Sequence, residues 1–422
     1  VAVMRALPRP KKAILPSGAT FLYQRNPFSP TIAFAVWIRG GSGCEGKGER
    51  GLAHLLEHVV FRGTKNRDAL RIAYDLESIG GQYDAFTGKE ATCYHAKVLE
   101  EHFEKLVDIF ADLVCRPTIP EKTMRIEKRV VQEEIRSVND TPEEYAHELF
   151  FHSLFKGHPL GHPVTGYLKD VAGYGRGDLV AFHRKNYAAE NTTIAFIGNI
   201  PFARVAALVE DRFRFPRRSG RRREWRLGEN VAAIRSAKRG DWAQSHVCIG
   251  ARGVAARHFD RHSLVILANI LGGGTTSRLF QSLRERTGLV YATYTHASFW
   301  RETGAICNFF SVDSKNLERA LDLFHAELDN IRKGGVVAEE IESAKAQAKG
   351  NIVFGIENTE SRLFQLIHSD AYHGRYVTSA EILRSIERVN RRAVTEAAER
   401  YLGDGGLTYT ACGPVSLSGL VR

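Results

Sequence analysis

Cysteine is sparse and unordered in this chain. Cys44, Cys93, Cys115, Cys248, Cys307 and Cys412 form no CxxC pair and no framework spacing. A chain of 422 residues builds apolar cores without covalent staples, so reduced and mostly buried thiols are expected. Long apolar runs are missing as well. No stretch approaches the roughly 20 apolar residues of a membrane-spanning helix, and the opening VAVMRALPRPKKAILPSG lacks the continuous apolar centre of a secretory signal. A soluble cytoplasmic protein with no membrane partner is the expectation. Low-complexity sequence is absent, and 43% apolar with 25% charged residues fits ordinary globular domains. The net charge is +11, but seven of those charges come from residues 212–226, which hold eight Arg and one Glu. So local a run reads as a solvated linker, and no nucleic-acid partner is expected.

The order of elements in residues 15–215 repeats in residues 236–420. Each half opens with an alternating apolar strand ending in Gly-rich sequence, TIAFAVWIRGGSG and QSHVCIGARGVAA, followed by a helix, GLAHLLEHVVFRGT and HSLVILANILGGGTTS. A Gly-containing turn, one alternating aromatic strand and an amphipathic helix come next in both, and each half closes on a strand, TTIAFIGNI and LTYTACGPV. Two α+β domains follow, each a mainly antiparallel sheet with helices packed on it. The expected boundaries are 1–215, an Arg-rich linker over 216–235, and 236–422.

The chemistry concentrates in HLLEH. His54, Glu57 and His58 stand at i, i+3 and i+4, so one helix face presents two imidazoles and a carboxylate. That set suits a tetrahedral cation with a base beside it for water. A third ligand is offered by EKRVVQEEIRSV, which carries Glu127, Glu133 and Glu134. Glu127 and Glu134 share a face, while Glu133 points about 100° away; spacing leaves the choice open. In the second half, apolar Ile266 and Leu267 stand where Glu57 and His58 stand in the first.

HLLEHVVFRGT, GGQYDAFTGKEATCYHAKV, EKRVVQEEIRSV and GHPLGHPVTG, in that order, resemble the insulinase or pitrilysin family of zinc peptidases, in its short branch with mitochondrial processing peptidase and its bacterial relatives. GGGTTSRLFQSLRERTGLVYATYTHAS and the QSH of Gln244 to His246 resemble that branch's second domain. The resemblance implies one zinc ion per chain, on His54, His58 and the glutamate 76 residues beyond the second histidine, which is Glu134. It implies Glu57 as general base toward a metal-bound water and Glu127 as a supporting carboxylate. Substrate is implied to add as a strand along DAFTGKEATCYHA, at Asp84, Ala85, Phe86 and Thr87, with Asp84 where the family most often has Asn. Arg284 and Tyr291 are implied to contact substrate from the second domain, Tyr291 near the oxyanion. The two domains are implied to close as a clamshell around a chamber that admits unfolded peptides or precursor segments, and the chain to be a homodimeric zinc endopeptidase. The competing expectation is a non-catalytic scaffold or partner subunit of the same fold.

Overall fold

A strand that is apolar on one face needs cover on one side of its sheet; a strand apolar on both faces needs cover on two. In the computed structural model, which describes residues 8–215, 227–228, 232–403, 405–414, 417 and 419, the central strands are of the second kind. Thr31–Ile38 is buried from its second residue on, and Thr192–Gly198 and Gly304–Val312 are buried throughout. The alternation expected for TIAFAVWI is therefore not seen. Most of the Arg-rich linker lies outside the described residues.

The first sheet contains β1 (Lys11–Ile14), β2 (Thr20–Arg25), β3 (Thr31–Ile38), β4 (Gln82–Thr87), β5 (Thr92–Leu99) and β6 (Thr192–Gly198), in the order β1-β2-β6-β3-β5-β4. The second contains β7 (Ile234–Lys238), β8 (Ser245–Gly253), β9 (Val290–Phe299), β10 (Gly304–Val312) and β11 (Thr408–Gly413), in the order β7-β11-β8-β10-β9. Without β1 the two orders are the same, each with one parallel pair, β2 with β6 and β7 with β11, among antiparallel neighbours. The repeat read in the sequence is a repeat of topology.

Helices cover both faces of each sheet. They are α1 (Leu52–Val60), α2 (Phe103–Cys115), α3 (Glu121–Asp140), α4 (Pro142–Leu154), α5 (Arg261–Gly272), α6 (Leu317–Arg332) and α7 (Thr359–His373). On the first sheet, Phe34 and Tyr94 meet Leu55, Leu56 and Val59 of α1 and Phe103 and Phe110 of α2. The opposite face, with Ala33, Ala35, Trp37 and Ile197, packs on Leu363, Leu366 and Ile367 of α7. On the second sheet, Val247, Ile249 and Phe310 meet Leu264 and Leu267 of α5 and Phe324 of α6. Its other face, with Cys248, Cys307, Phe309 and Cys412, packs on Ala146, Leu149 and Phe150 of α4.

The helices on those second faces are exchanged. The compact units are Val1–Arg136, His162–Glu224 and Ile356–Tyr376 for the first, and Ser137–Gly161, Trp225–Gly355 and Val377–Arg422 for the second. A helix from the first half of the chain thus completes the second unit, and a helix from the second half completes the first. The single crossing read at 216–235 gives way to an interleaved chain. Burying one such Leu or Ile contributes about 1.5–3 kcal/mol, so each borrowed helix is integral to the sheet it covers.

The turn after α1 is tied to α2 through charge. Arg67 reaches Asp75 at 2.9 Å, Asp108 at 2.6 Å and the fully buried Asp112 at 3.1 Å, while Thr64 and Asn66 donate to Asp112. Burial works to raise the Asp75 carboxyl, but Arg67, Arg71 and Lys105 outweigh it and hold it below its ordinary 3.8. A carboxylate depressed in the folded state stabilises that state above its unfolded pKa, and the contribution fades as pH falls toward the folded value. Arg67→Met strands these carboxylates and is expected to cost about 3 kcal/mol, read as a lower urea midpoint at neutral pH. The variant should also lose part of the wild type's decline in midpoint on acidification below pH 3.8.

Candidate metal centre

The helix that carries HLLEH starts where glycine and a remote carboxylate make a start available. Gly51 has φ +85°, and a Cβ there would lie 2.6 Å from the Thr165 carbonyl oxygen, so glycine alone fits. The first N–H groups of a helix have no partner within it. The carboxylate of Glu45 accepts from the N–H groups of Gly51 and Ala53, each at 2.9 Å. Burial pushes the Glu45 carboxyl up to about 8, against those two hydrogen bonds. Leu52, Ala53, Leu55, Leu56, Val59 and Val60 are then all buried, leaving His54, Glu57 and His58 together on the remaining face.

α3 supplies the acid. Its buried row is Met124, Glu127, Val131 and Ile135, which anchors one face and sets Glu134 beside it. Oε2 of Glu134 lies 3.8 Å from Nε2 of His54 and 3.7 Å from Nε2 of His58, and the three side chains form a cluster able to hold a metal ion. Glu133 is turned away and pairs with Arg136 in solvent. Of the two adjacent glutamates, Glu134 is the one beside the imidazoles. A tetrahedral ion with ligand bonds of 2.0–2.1 Å needs ligand atoms about 3.4 Å apart. The observed separations exceed that by a few tenths of an ångström, so two imidazoles and a carboxylate fit zinc with a small inward movement.

Electrostatics prepares the same atoms. Burial, then the neighbouring His58, pushes the His54 imidazole down to about 4, which keeps it neutral with a free lone pair as a ligand requires. For His58 burial acts downward too, but the hydrogen bond to Glu127 and the charges of Glu134 and Glu57 prevail and raise it. Nδ1 of His58 is 3.3 Å from Oε2 of Glu127, whose Oε1 accepts from Nε of Arg62 at 2.7 Å. A carboxylate on the far nitrogen orients the ring and aims Nε2 at the ion. Burial would raise Glu127, yet His58 and Arg62 hold it below the usual range. Glu57 is raised by burial, with the Thr87 hydrogen bond and His58 acting the other way.

Thr87 donates to Oε2 of Glu57 at 2.9 Å, and it sits on β4, an edge strand of the first sheet. The segment DAFTGKEATCYHA is two strands, not one: Gly88 closes a turn onto Ala91 at 2.8 Å, and β5 lies between β3 and β4. Of these two strands only β4 lies at a sheet edge, where a further strand can be added. Ala85 faces the α1 side with Thr87. Phe86 faces the other side, against Trp37, His95 and Phe364. Oδ1 of Asp84 accepts from the N–H of Ala85 at 2.8 Å, so this carboxylate is engaged locally.

Residues 20–167 match the insulinase family model (Peptidase family M16), and residues 175–348 match the Peptidase M16 inactive domain. The chain belongs to the insulinase family, M16. Among its relatives are an uncharacterized zinc protease of Bacillus subtilis, 30% identical over 92% of this chain and 95% of that protein, and one of Mycobacterium tuberculosis, 32% identical over 93% and 91%. The crystal structure of a protease from Helicobacter pylori superposes with a TM-score of 0.90 at 20% identity, over 97% of this chain and 100% of that one. The fold is thus the two-domain α+β fold of M16 proteins.

In the second M16 domain Ile266 and Leu267 are fully buried on α5, so the helix equivalent to α1 carries no ligand at those positions. The structure brings the two expected substrate residues of that domain together. The Arg284 guanidinium lies 5.2 Å from the Tyr291 ring, and Tyr291 is 75% exposed on β9. Arg62, Glu45 and the Thr87 link to Glu57 were not read from the sequence. Arg62 follows His58 at i+4, a spacing that flags a shared face; nothing in the sequence flags the other two.

His54→Ala or Glu134→Gln is expected to lower tightly bound zinc by one ion per chain, and Glu133→Gln to leave it unchanged. Glu127→Gln should weaken that ion by about 10–100-fold. Competition against a fluorescent zinc chelator measures all four.

Proposed function

We propose that the chain is a zinc-dependent endopeptidase acting on unfolded peptides or precursor segments. The observation that carries this reading is the Thr87 hydrogen bond to Glu57, which joins an open strand edge to a base beside the metal cluster. Zinc held by His54, His58 and Glu134 would supply a Lewis acid for water and for the scissile carbonyl. Extended substrate adds to the open edge of β4 through main-chain hydrogen bonds, which tolerates many sequences and leaves selectivity to pockets. One such pocket, about 270 Å³, lies beside Glu57 and has a mixed lining, with His58, Arg62 and Glu127 on one side and Phe61, Ile72 and Leu76 on the other. Glu57, raised by burial, takes a proton from the attacking water and passes it to the departing amine. Arg284 and Tyr291 are assigned to substrate, the tyrosine hydroxyl donating to the developing oxyanion. One chain carries both the HxxEH cluster and this pair, so each protomer is complete, and a homodimer is the assembly proposed.

The competing reading, a scaffold subunit, needs no base at the cluster. Cleavage of unstructured peptides by the wild type, sensitive to chelator and restored by zinc, is expected to fall by about 10²–10⁴ in Glu57→Gln with the zinc content unchanged. Tyr291→Phe should lower kcat by about 10². Stoichiometric zinc without wild-type cleavage across a broad peptide set would replace the peptidase by the scaffold.

A further inference from the structure

A second group of metal-ligand side chains lies in the second unit, on the sheet face that α4 covers. In the register of β9 and β10, His296 stands opposite Cys307 and Tyr294 opposite Phe309. Phe309 in turn stands opposite Cys248 on β8. Side chains two apart on a strand share a face, so Cys248, Cys307, His296 and Tyr294 all point to one side. α4 places His147 over them. One ligand atom each from His147, His296 and Cys307 lies within 4.8 Å of the others, and Nδ1 of His147 is 3.8 Å from Sγ of Cys248 and 3.9 Å from Sγ of Cys307.

We propose that His147, His296 and Cys307, with Cys248 as fourth donor, form a site for a thiophilic divalent ion of the zinc class, separate from the HxxEH centre. Three features of the geometry support it. A tetrahedral zinc with bonds of 2.3 Å to sulfur and 2.0–2.1 Å to nitrogen sets sulfur and nitrogen about 3.6 Å apart, close to both measured separations. The far nitrogen of His147 is held as a metal-ligating histidine's is: Nε2 is 2.7 Å from the Tyr294 hydroxyl, which donates to Glu143 at 2.5 Å. With its own proton committed to Glu143, the tyrosine accepts from Nε2–H, and the bare lone pair of Nδ1 faces the two sulfurs. Finally, the donors are two imidazoles and two buried sulfurs, a soft set that selects zinc over magnesium or calcium.

Binding would release the protons of Cys248 and Cys307 to solvent as their thiolates form. The expectation of one metal ion per chain then becomes two, the second inside the region that matches the M16 inactive domain, completed by His147 from the borrowed helix.

Cobalt(II) tells the two sites apart, because only thiolate ligation gives a near-ultraviolet sulfur-to-cobalt charge-transfer band. The full chain, stripped of metal and titrated with Co²⁺, is expected to take up two ions and to show the band. His54→Ala should keep the band and bind one ion. His296→Gln and Cys307→Ala should lose the band, keep one ion and keep cleaving peptide. His296→Gln alters a partly exposed side chain and carries the test if the buried Cys307→Ala fails to fold. A folded wild type with one cobalt ion and no thiolate band would overturn the proposal, as would a band that survives His296→Gln. Both results are independent of whether the HxxEH centre cleaves peptides.

Discussion

A single buried carboxylate, Glu127, sits between His58 and Arg62 and fixes how α3 lies along α1. Its burial would be costly if either partner were missing, so the two helices have one relative placement in which it is satisfied. Glu134 stands two turns further along α3 on the same side, and that placement brings its oxygen to both imidazoles. The cluster is a consequence of Glu127's need for partners as much as of the HxxEH spacing. The apolar row of α1 and the Glu45 cap hold the other side of the arrangement.

Much of this was legible in the sequence, and the physical reasons are specific. His54, Glu57 and His58 are neighbours on one helix, where spacing translates directly into a shared face. The repeat was legible because topology is carried by the order of strands and helices, which survives the loss of ligands at Ile266 and Leu267. Glu134 became distinct from Glu133 through family resemblance, and the structure gives the reason in the outward Glu133–Arg136 pair.

The rest was hidden because it depends on contacts between distant segments. That α4 would cover the second sheet and α7 the first could not be read from order; strands apolar on both faces require a second cover but do not say which half provides it. The hairpin inside DAFTGKEATCYHA has little mark in the sequence, because β-formers flank Gly88 and Lys89 on both sides and a central strand runs into an edge strand with no proline between them. The sulfur and imidazole group has no spacing signature at all. His147, Cys248, His296 and Cys307 come from one helix and three strands, and only the register of the second sheet gathers them.

The most direct test of the account is a crystal structure of the zinc-loaded Glu57→Gln protein soaked with an unstructured peptide, with diffraction recorded at the zinc edge. An anomalous peak is expected between Nε2 of His54, Nε2 of His58 and Glu134, with the peptide extended along Gln82–Thr87 and a carbonyl facing that peak. A peptide bound away from β4, or no peak among those three side chains, would contradict it.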